Sequence, residues 1–159
     1  MRGYSITKVL RLPQYRVSEI LSETEREIHI EVVPYKRKPL VCSGCGLVHE
    51  KGRHGIDTIV VEDLRLAGRR VYLHVVKRRI RCPEDGCIHV EAVDWIKPRS
   101  RVTNRFADEV YRLTAITTNV EAGWYLGLDD EKVYRIDREK LEELAVEKLI
   151  PPPAAKNMS

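Results

Sequence analysis

The sequence predicts an α+β protein, with an antiparallel β-rich domain followed by a small domain of three helices. Two observations support this prediction. Segments rich in β-branched residues fill the first half of the chain, and after about residue 103 the apolar residues recur at helical spacing. A chain of 159 residues suffices for two small domains, which usually need a metal ion or a disulfide to supplement their cores.

Four strands are predicted in the first half. Residues 15–20 and 28–33 flank a polar turn and form a hairpin, while residues 57–64 and 70–80 are two further strands. In the last of these strands, successive side chains point to opposite faces of the sheet. Val71, Leu73 and Val75 lie on one face, and Tyr72, His74 and Val76 lie on the other.

Three helices are predicted in the second half, each with a local signal at its start or end. Thr103 is suited to cap the first helix and Thr118 the second, which Gly127 would end. Asp129 would cap a third helix with an apolar face.

These elements divide the chain into four segments. We expect a β-rich domain over residues 1–95, a basic linker over 96–102, a helical domain over 103–150 and a flexible tail over 151–159.

The four cysteines form two close pairs, each lying in a turn with glycine. Cys42 and Cys45 have the spacing Cys-x2-Cys, and Cys82 and Cys87 have the longer spacing Cys-x4-Cys. Thiolates presented in pairs from tight turns are typical of a tetrahedral zinc site. We therefore predict one Zn²⁺ per chain, bound by these four residues.

Redox chemistry and inert buried thiols are the alternatives for the cysteines. A redox pair favours a helix N-terminus in a βαβ unit, which the sequence around Cys42 does not predict. Inert thiols do not explain why both pairs lie in polar turns. Because four thiolates complete a zinc shell, His49, His54 and His89 are expected at the surface or in support of the ligands.

The charge is distributed unevenly, although the net value is only +4. From Arg65 to Arg105, eleven basic side chains stand against four acidic ones, which suits a polyanionic partner. Some of these arginines are also suited to offset the negative charge of a zinc thiolate site. From Asp129 to Glu147, eight acids stand against four bases, and we interpret this run as a solvated surface.

The second and third predicted helices fit a helix-turn-helix unit. Ala122 and Gly123 offer a small face where the helices cross, and Gly127 allows the turn. An ordinary helical hairpin is the alternative. The shared core is expected from four apolar residues: Leu126, Leu128, Val133 and Ile136.

The order of these motifs resembles the N-terminal half of the ISL-three family of insertion-sequence transposases. The motifs are VCSGCG, a strand ending in KRRIRC, PRSRVTNRFADEV, the GWYLGL turn and KVYRID, over roughly residues 8–145. The resemblance implies a zinc ribbon, then a helix-turn-helix that recognises transposon-end DNA, then a DDE catalytic domain. The chain ends where that domain would begin, so no catalytic residues and no enzymatic activity are expected. A second departure from the family is the run of three acids at residues 129–131, because acids at the start of a recognition helix repel DNA phosphates.

We therefore expect a non-catalytic DNA-binding protein. We expect it in the cytoplasm, since neither a signal peptide nor a membrane span is predicted. Its partners would be double-stranded DNA and, as further possibilities, a second copy and a separate catalytic transposase chain. The alternative is a zinc-ribbon adaptor for protein partners or a transcriptional regulator. The expected DNA contacts are Arg65, Arg69, Arg70, Arg78, Arg79, Arg99, Arg101 and Arg105 on phosphates, and Lys132, Arg135 and Arg138 on bases.

Overall fold

The computed structural model describes residues 2–97 and 99–149, which divide into two compact units after Phe106. The expected tail over residues 151–159 lies outside the described residues. The first unit begins with helix α1 (Arg2–Leu10), which the sequence did not predict. Its strands are β1 (Tyr15–Glu23), β2 (Glu27–Pro34), β3 (Arg53–Leu66), β4 (Arg69–Arg81), β5 (Ile88–Val90), β6 (Ile96–Lys97) and β7 (Val102–Thr103).

The described strands form one mixed sheet in the order β1-β2-β4-β3-β7-β6, with β5 paired to β4. The predicted hairpin is present, because β1 pairs with β2 in antiparallel fashion, and the two further predicted strands, β3 and β4, form a second antiparallel hairpin. The expectation of an entirely antiparallel sheet is wrong, since β2 and β4 are parallel. Each is the second strand of its own hairpin, and the two hairpins are joined along these strands with both running in the same direction.

The core of the first unit lies on one face of this sheet. The predicted alternation in β4 is confirmed, since Val71, Leu73 and Val75 are fully buried. Tyr15 meets Trp95 edge to face, with ring centroids 5.3 Å apart. The cluster also contains buried residues of α1, β1, β2, β3 and β6: Leu10, Val17, Ile28, Ile30, Val32, Val61 and Ile96.

Residues 96–102, expected as a linker, contribute to the sheet at both ends. Ile96 and Lys97 in β6 pair with β7, and Val102 in β7 pairs with Glu62 of β3. These two strands were not predicted, because a strand of two residues is too short to show an alternating pattern in the sequence.

The second unit consists of helices whose predicted caps are present. Helix α2 (Asn104–Thr114) spans the division between the units, and Thr103 Oγ1 accepts from the backbone N–H of Phe106. Helix α3 (Asn119–Leu126) starts with a capping box at Thr118, and Gly127 ends it in the left-handed region at φ 70°. Helix α4 (Asp130–Leu149) begins after Asp129, whose Oδ1 accepts from the N–H of Lys132 at 2.6 Å.

Helices α3 and α4 bury the apolar residues that the sequence predicted at their crossing. Gly123 is required there, because a Cβ at this position would lie 2.6 Å from the carbonyl oxygen of Leu128. The buried residues where α3 and α4 cross are Ala122, Leu126, Leu128, Val133 and Ile136.

No helix within residues 2–97 and 99–149 has the length and apolar composition needed to cross a membrane.

Candidate metal centre and nucleic-acid interface

The Cys42 turn follows β2 and presents two thiols from a tight backbone loop. The N–H of Cys42 donates to the carbonyl of Leu47, and the N–H of Gly46 donates to the carbonyl of Cys42, both at 2.9 Å. Gly46 adopts φ 74°, which a residue without a Cβ reaches at little cost. This geometry places Cys42 and Cys45 on the same side of the loop.

The Cys82 turn repeats the same backbone pattern at the end of β4. The N–H of Cys82 donates to the carbonyl of Cys87, and the N–H of Gly86, at φ 71°, donates to the carbonyl of Cys82, both at 2.8 Å. Counted from the first cysteine, the fourth residue is Cys45 in one turn and Asp85 in the other. The two turns are therefore structural equivalents.

Four potential ligands converge between these turns: Cys42, Cys45, His49 and Cys82. Their donor atoms lie within 4.8 Å of one another. The expected ligand Cys87 lies outside this group and is exposed, and the structure brings in His49, which we had expected only near the site. The equivalence of the turns gives the reason, because Cys87 occupies the position of the exposed Leu47.

His49 is held beside the thiols by its own backbone. Its N–H donates to the carbonyl of Leu40 at 3.0 Å, and its Nε2 lies 3.0 Å from Cys45 Sγ and 3.7 Å from Cys82 Sγ. The sequence signal for this residue is the spacing Cys-x2-Cys-x3-His, in which the histidine follows the turn.

The donor set fits one zinc ion. Three thiols and an imidazole form a Cys3His shell, and thiolates bound to one tetrahedral Zn²⁺ lie about 3.8 Å apart, within the spread of this group. Burial would raise the pKa of Cys42, but the backbone N–H groups of Cys45 and Gly44 and the neighbouring thiols lower it. Cys42 is therefore the thiol of the pair that ionises first. At Cys45 the backbone N–H of Leu47 would lower the pKa, but burial and the thiols of Cys82 and Cys42 raise it.

His89 occupies the second turn where His49 occupies the first. Its Nε2 lies 2.7 Å from Asp85 Oδ2, and this carboxylate raises the pKa of His89. The ring also lies against Gly44, where a Cβ would come within 2.5 Å of His89 Nε2. His89 thus supports the fold of the site from outside the group of four, as expected. His54 is exposed on β3.

Three carboxylates buried in the first unit pair with arginines of the basic run. Arg70 binds Glu62 at 2.7 and 3.1 Å, and Arg105 binds Asp63 through two nitrogens. Thr103 Oγ1 also donates to Asp63, at 2.7 Å.

The third buried carboxylate is that of Glu91, a residue whose backbone neighbours Cys42. It accepts from the backbone and guanidinium of Arg78 at 2.8 to 3.1 Å and from Lys38 Nζ at 3.0 Å. Burial alone would raise the pKa of Glu91, but these donors lower it. Its backbone bridges to Cys42, so this ion network anchors the first turn.

The basic residues expected on DNA therefore fall into two groups. Arg70, Arg78 and Arg105 have buried partners, and Arg69 pairs with Glu23 at 2.6 Å near the surface. The others in the sheet unit are exposed: Arg65, Arg79, Arg99 and Arg101.

The basic residues expected on bases all lie along α4. Arg135 and Arg138 are exposed and Lys132 is partly exposed. Arg138 makes a surface ion pair with Glu142 at 3.0 Å.

Comparison with known proteins agrees with this site. Residues 38–87 match the family described as the zinc-finger of transposase IS204/IS1001/IS1096/IS1165. The transposase for insertion sequence element IS1001 of Bordetella parapertussis is 32% identical over 124 residues, which cover 69% of this chain and 30% of that transposase. No solved structure matches. The resemblance to the ISL-three transposases is thereby confirmed, with residues 38–87 as the segment that matches the zinc-finger model.

Proposed function

We propose that this protein binds double-stranded DNA at transposon ends, the terminal inverted repeats. The observation that carries the proposal is a transposase-type zinc ribbon in residues 38–87, in a unit with exposed arginines. The α3–α4 pair of the second unit supports it, since its cap and crossing residues follow the pattern of a helix-turn-helix.

Helix α4 would read the bases. In a helix-turn-helix the second helix lies in the major groove, where arginine and lysine recognise guanine. Arg135 is exposed on α4, and Arg138 needs only to leave its surface ion pair with Glu142, which contributes little to stability. Lys132 is the third contact, one turn nearer the helix start.

We assign the phosphate backbone to exposed arginines of the sheet unit. Arg79, Arg99 and Arg101 are exposed and are assigned this role, together with Arg65. The guanidinium groups of Arg70, Arg78 and Arg105 are committed to Glu62, Glu91 and Asp63, so we assign them to the fold.

The test uses the full chain with bound zinc, a random-sequence 30-base-pair duplex, and a duplex enriched from a random pool by repeated selection. Replacing Arg99 and Arg101 together by alanine should weaken binding to both duplexes. It should also flatten the salt dependence by about one unit per lost contact, because fewer counterions are released. Arg135→Ala should cost about 1 to 3 kcal/mol on the selected duplex and leave the random duplex nearly unaffected.

The matched control is Arg112→Ala, which removes an exposed arginine of α2 beside Glu109. It should leave both affinities and the salt slope unchanged. Wild-type affinity and slope in the Arg99 and Arg101 double variant would contradict the phosphate assignment. Equal losses on both duplexes for Arg135→Ala would contradict base reading.

A protein adaptor or regulator is the second candidate, and one surface favours it. Trp124 is 87% exposed and Ile116 82% exposed, and Val120 lies one turn before Trp124 on α3. Large exposed apolar side chains are common where proteins meet. A wild-type chain that binds neither duplex at low salt would favour this function, with a second copy or a separate catalytic transposase chain as partner.

A further inference from the structure

Two histidines face each other on the side of the sheet opposite the apolar core. His29 lies on β2 and His74 on β4, two parallel strands in which Glu31 is the direct neighbour of His74. The residues that alternate with them, such as Ile30 and Leu73, are buried on the other face. His29 Nδ1 and His74 Nε2 are 2.8 Å apart.

The ring of His29 is fixed from two sides. Its Nε2 lies 3.2 Å from Glu27 Oε1, and the ring stacks on Tyr72 at a centroid distance of 4.8 Å. A carboxylate on one ring nitrogen leaves the lone pair on the other, an arrangement common for histidines that bind metals. Nδ1 of His29 is then the acceptor, and Nε2 of His74 donates the shared proton to it.

We propose that His29 Nδ1 and His74 Nε2 form a second metal site, which takes Zn²⁺ or another divalent cation that prefers imidazole nitrogen. Two nitrogens bound to one tetrahedral Zn²⁺ at 2.0 to 2.1 Å are about 3.3 Å apart, so the rings need to separate by about half an ångström and to turn until both lone pairs point at the ion. When the metal binds, the Nε2 proton of His74 is lost and Nδ1 becomes protonated, so His74 remains neutral.

The surroundings favour this ligand pair. Burial and the neighbouring His29 lower the pKa of His74, which keeps its imidazole neutral at pH 7. Glu31 is the direct neighbour of His74, but its Oε1 accepts from Ser18 Oγ at 2.7 Å, so water would complete the shell around the two imidazoles. Imidazole nitrogen is a common ligand of Zn²⁺.

The site is independent of the ribbon, because it uses neither cysteines nor their turns, and it does not depend on DNA binding. The experiment loads the full chain with Zn²⁺, removes loosely held ions by dialysis, and measures the zinc-to-protein ratio by mass spectrometry. We expect two zinc ions in the wild type and one in His74→Ala and in His29→Gln. The matched control His54→Ala changes an exposed histidine of β3 and should retain two.

Cobalt substitution separates the two sites. Co²⁺ bound by thiolates gives a sulfur charge-transfer band that should be unchanged in His74→Ala, which also reports that the ribbon has folded. One zinc ion in the wild type would overturn the proposal, as would two in both histidine variants. In either case the histidine contact would be a hydrogen bond of the sheet alone.

Discussion

The sheet unit and the helical unit use charge in opposite ways. Residues 1–106 contain 21 lysines and arginines against 13 acids, a net charge of +8, and residues 107–149 contain 6 against 11, a net charge of −5. In the sheet unit, buried Glu62, Asp63 and Glu91 are each met by an arginine, so part of the positive charge stabilises the fold. An arginine count alone therefore overestimates the surface that remains for a polyanion.

In the helical unit the charges lie on the surface and the buried positions of α3 and α4 are apolar. Ion pairs such as Arg138 with Glu142 and Lys140 with Asp108 involve exposed or partly exposed side chains. Such pairs typically contribute only a few tenths of a kcal/mol. Packing and caps, rather than charge, determine the stability of these helices.

The largest difference between the units should appear on metal removal. Binding of structural zinc contributes on the order of 10 kcal/mol in small zinc domains, so chelation should unfold the ribbon around Cys42 and Cys82. The helical unit contains none of the four converging ligands and should keep its helices. Circular dichroism with hydrogen exchange during titration with a chelator would measure both. Loss of the helices in step with loss of zinc would contradict this prediction, because it would show that the helical unit depends on the bound metal.

The second largest effect should follow from Glu91→Ala. The substitution leaves Arg78 and Lys38 without their buried partner, and breaking a buried ion pair in this way typically costs 3–5 kcal/mol. Urea unfolding of the zinc-loaded protein would measure the loss. The matched variant Glu19→Ala removes an exposed acid from β1 and should change stability by less than about 0.5 kcal/mol. Equal stabilities would contradict a structural role for this charge network.

Local signals explain what could be predicted from the sequence. The caps at Thr118, Gly127 and Asp129 and the alternation of Val71, Leu73 and Val75 depend on neighbours within a few residues, and all were predicted. Pairing between distant segments was not. The parallel contact of β2 with β4 and the pairing of Asp63 with Arg105 join residues about 40 positions apart, for which one sequence has no signal.

In the metal site, too, the residues identified by local spacing were predicted, and the residue that depends on the geometry of a turn was not. Cysteine spacing predicted three of the four converging residues, because paired thiols in turns have few other uses. It did not distinguish Cys87 from His49, since that choice depends on where Gly86 closes the second turn. Because the turn closes one residue before Cys87, that thiol is exposed.

The smallest effect should come from Gly123→Ala, which tests whether packing rather than charge holds the helical unit. The added Cβ would lie 2.6 Å from the carbonyl oxygen of Leu128 and 3.5 Å from Val133 Cγ2, so the turn after α3 must shift. Overpacking of this kind typically costs about 1–3 kcal/mol, against a gain of about 1 kcal/mol in helix propensity, leaving a net loss of about 0–2 kcal/mol. Thermal unfolding followed at the helical signal would measure it. Lys140→Ala, which removes the ion pair with Asp108 in the same unit, is the matched control and should cost less than about 1 kcal/mol. A larger loss for Lys140→Ala than for Gly123→Ala would mean that surface charge, and not the close crossing of α3 and α4, stabilises this unit.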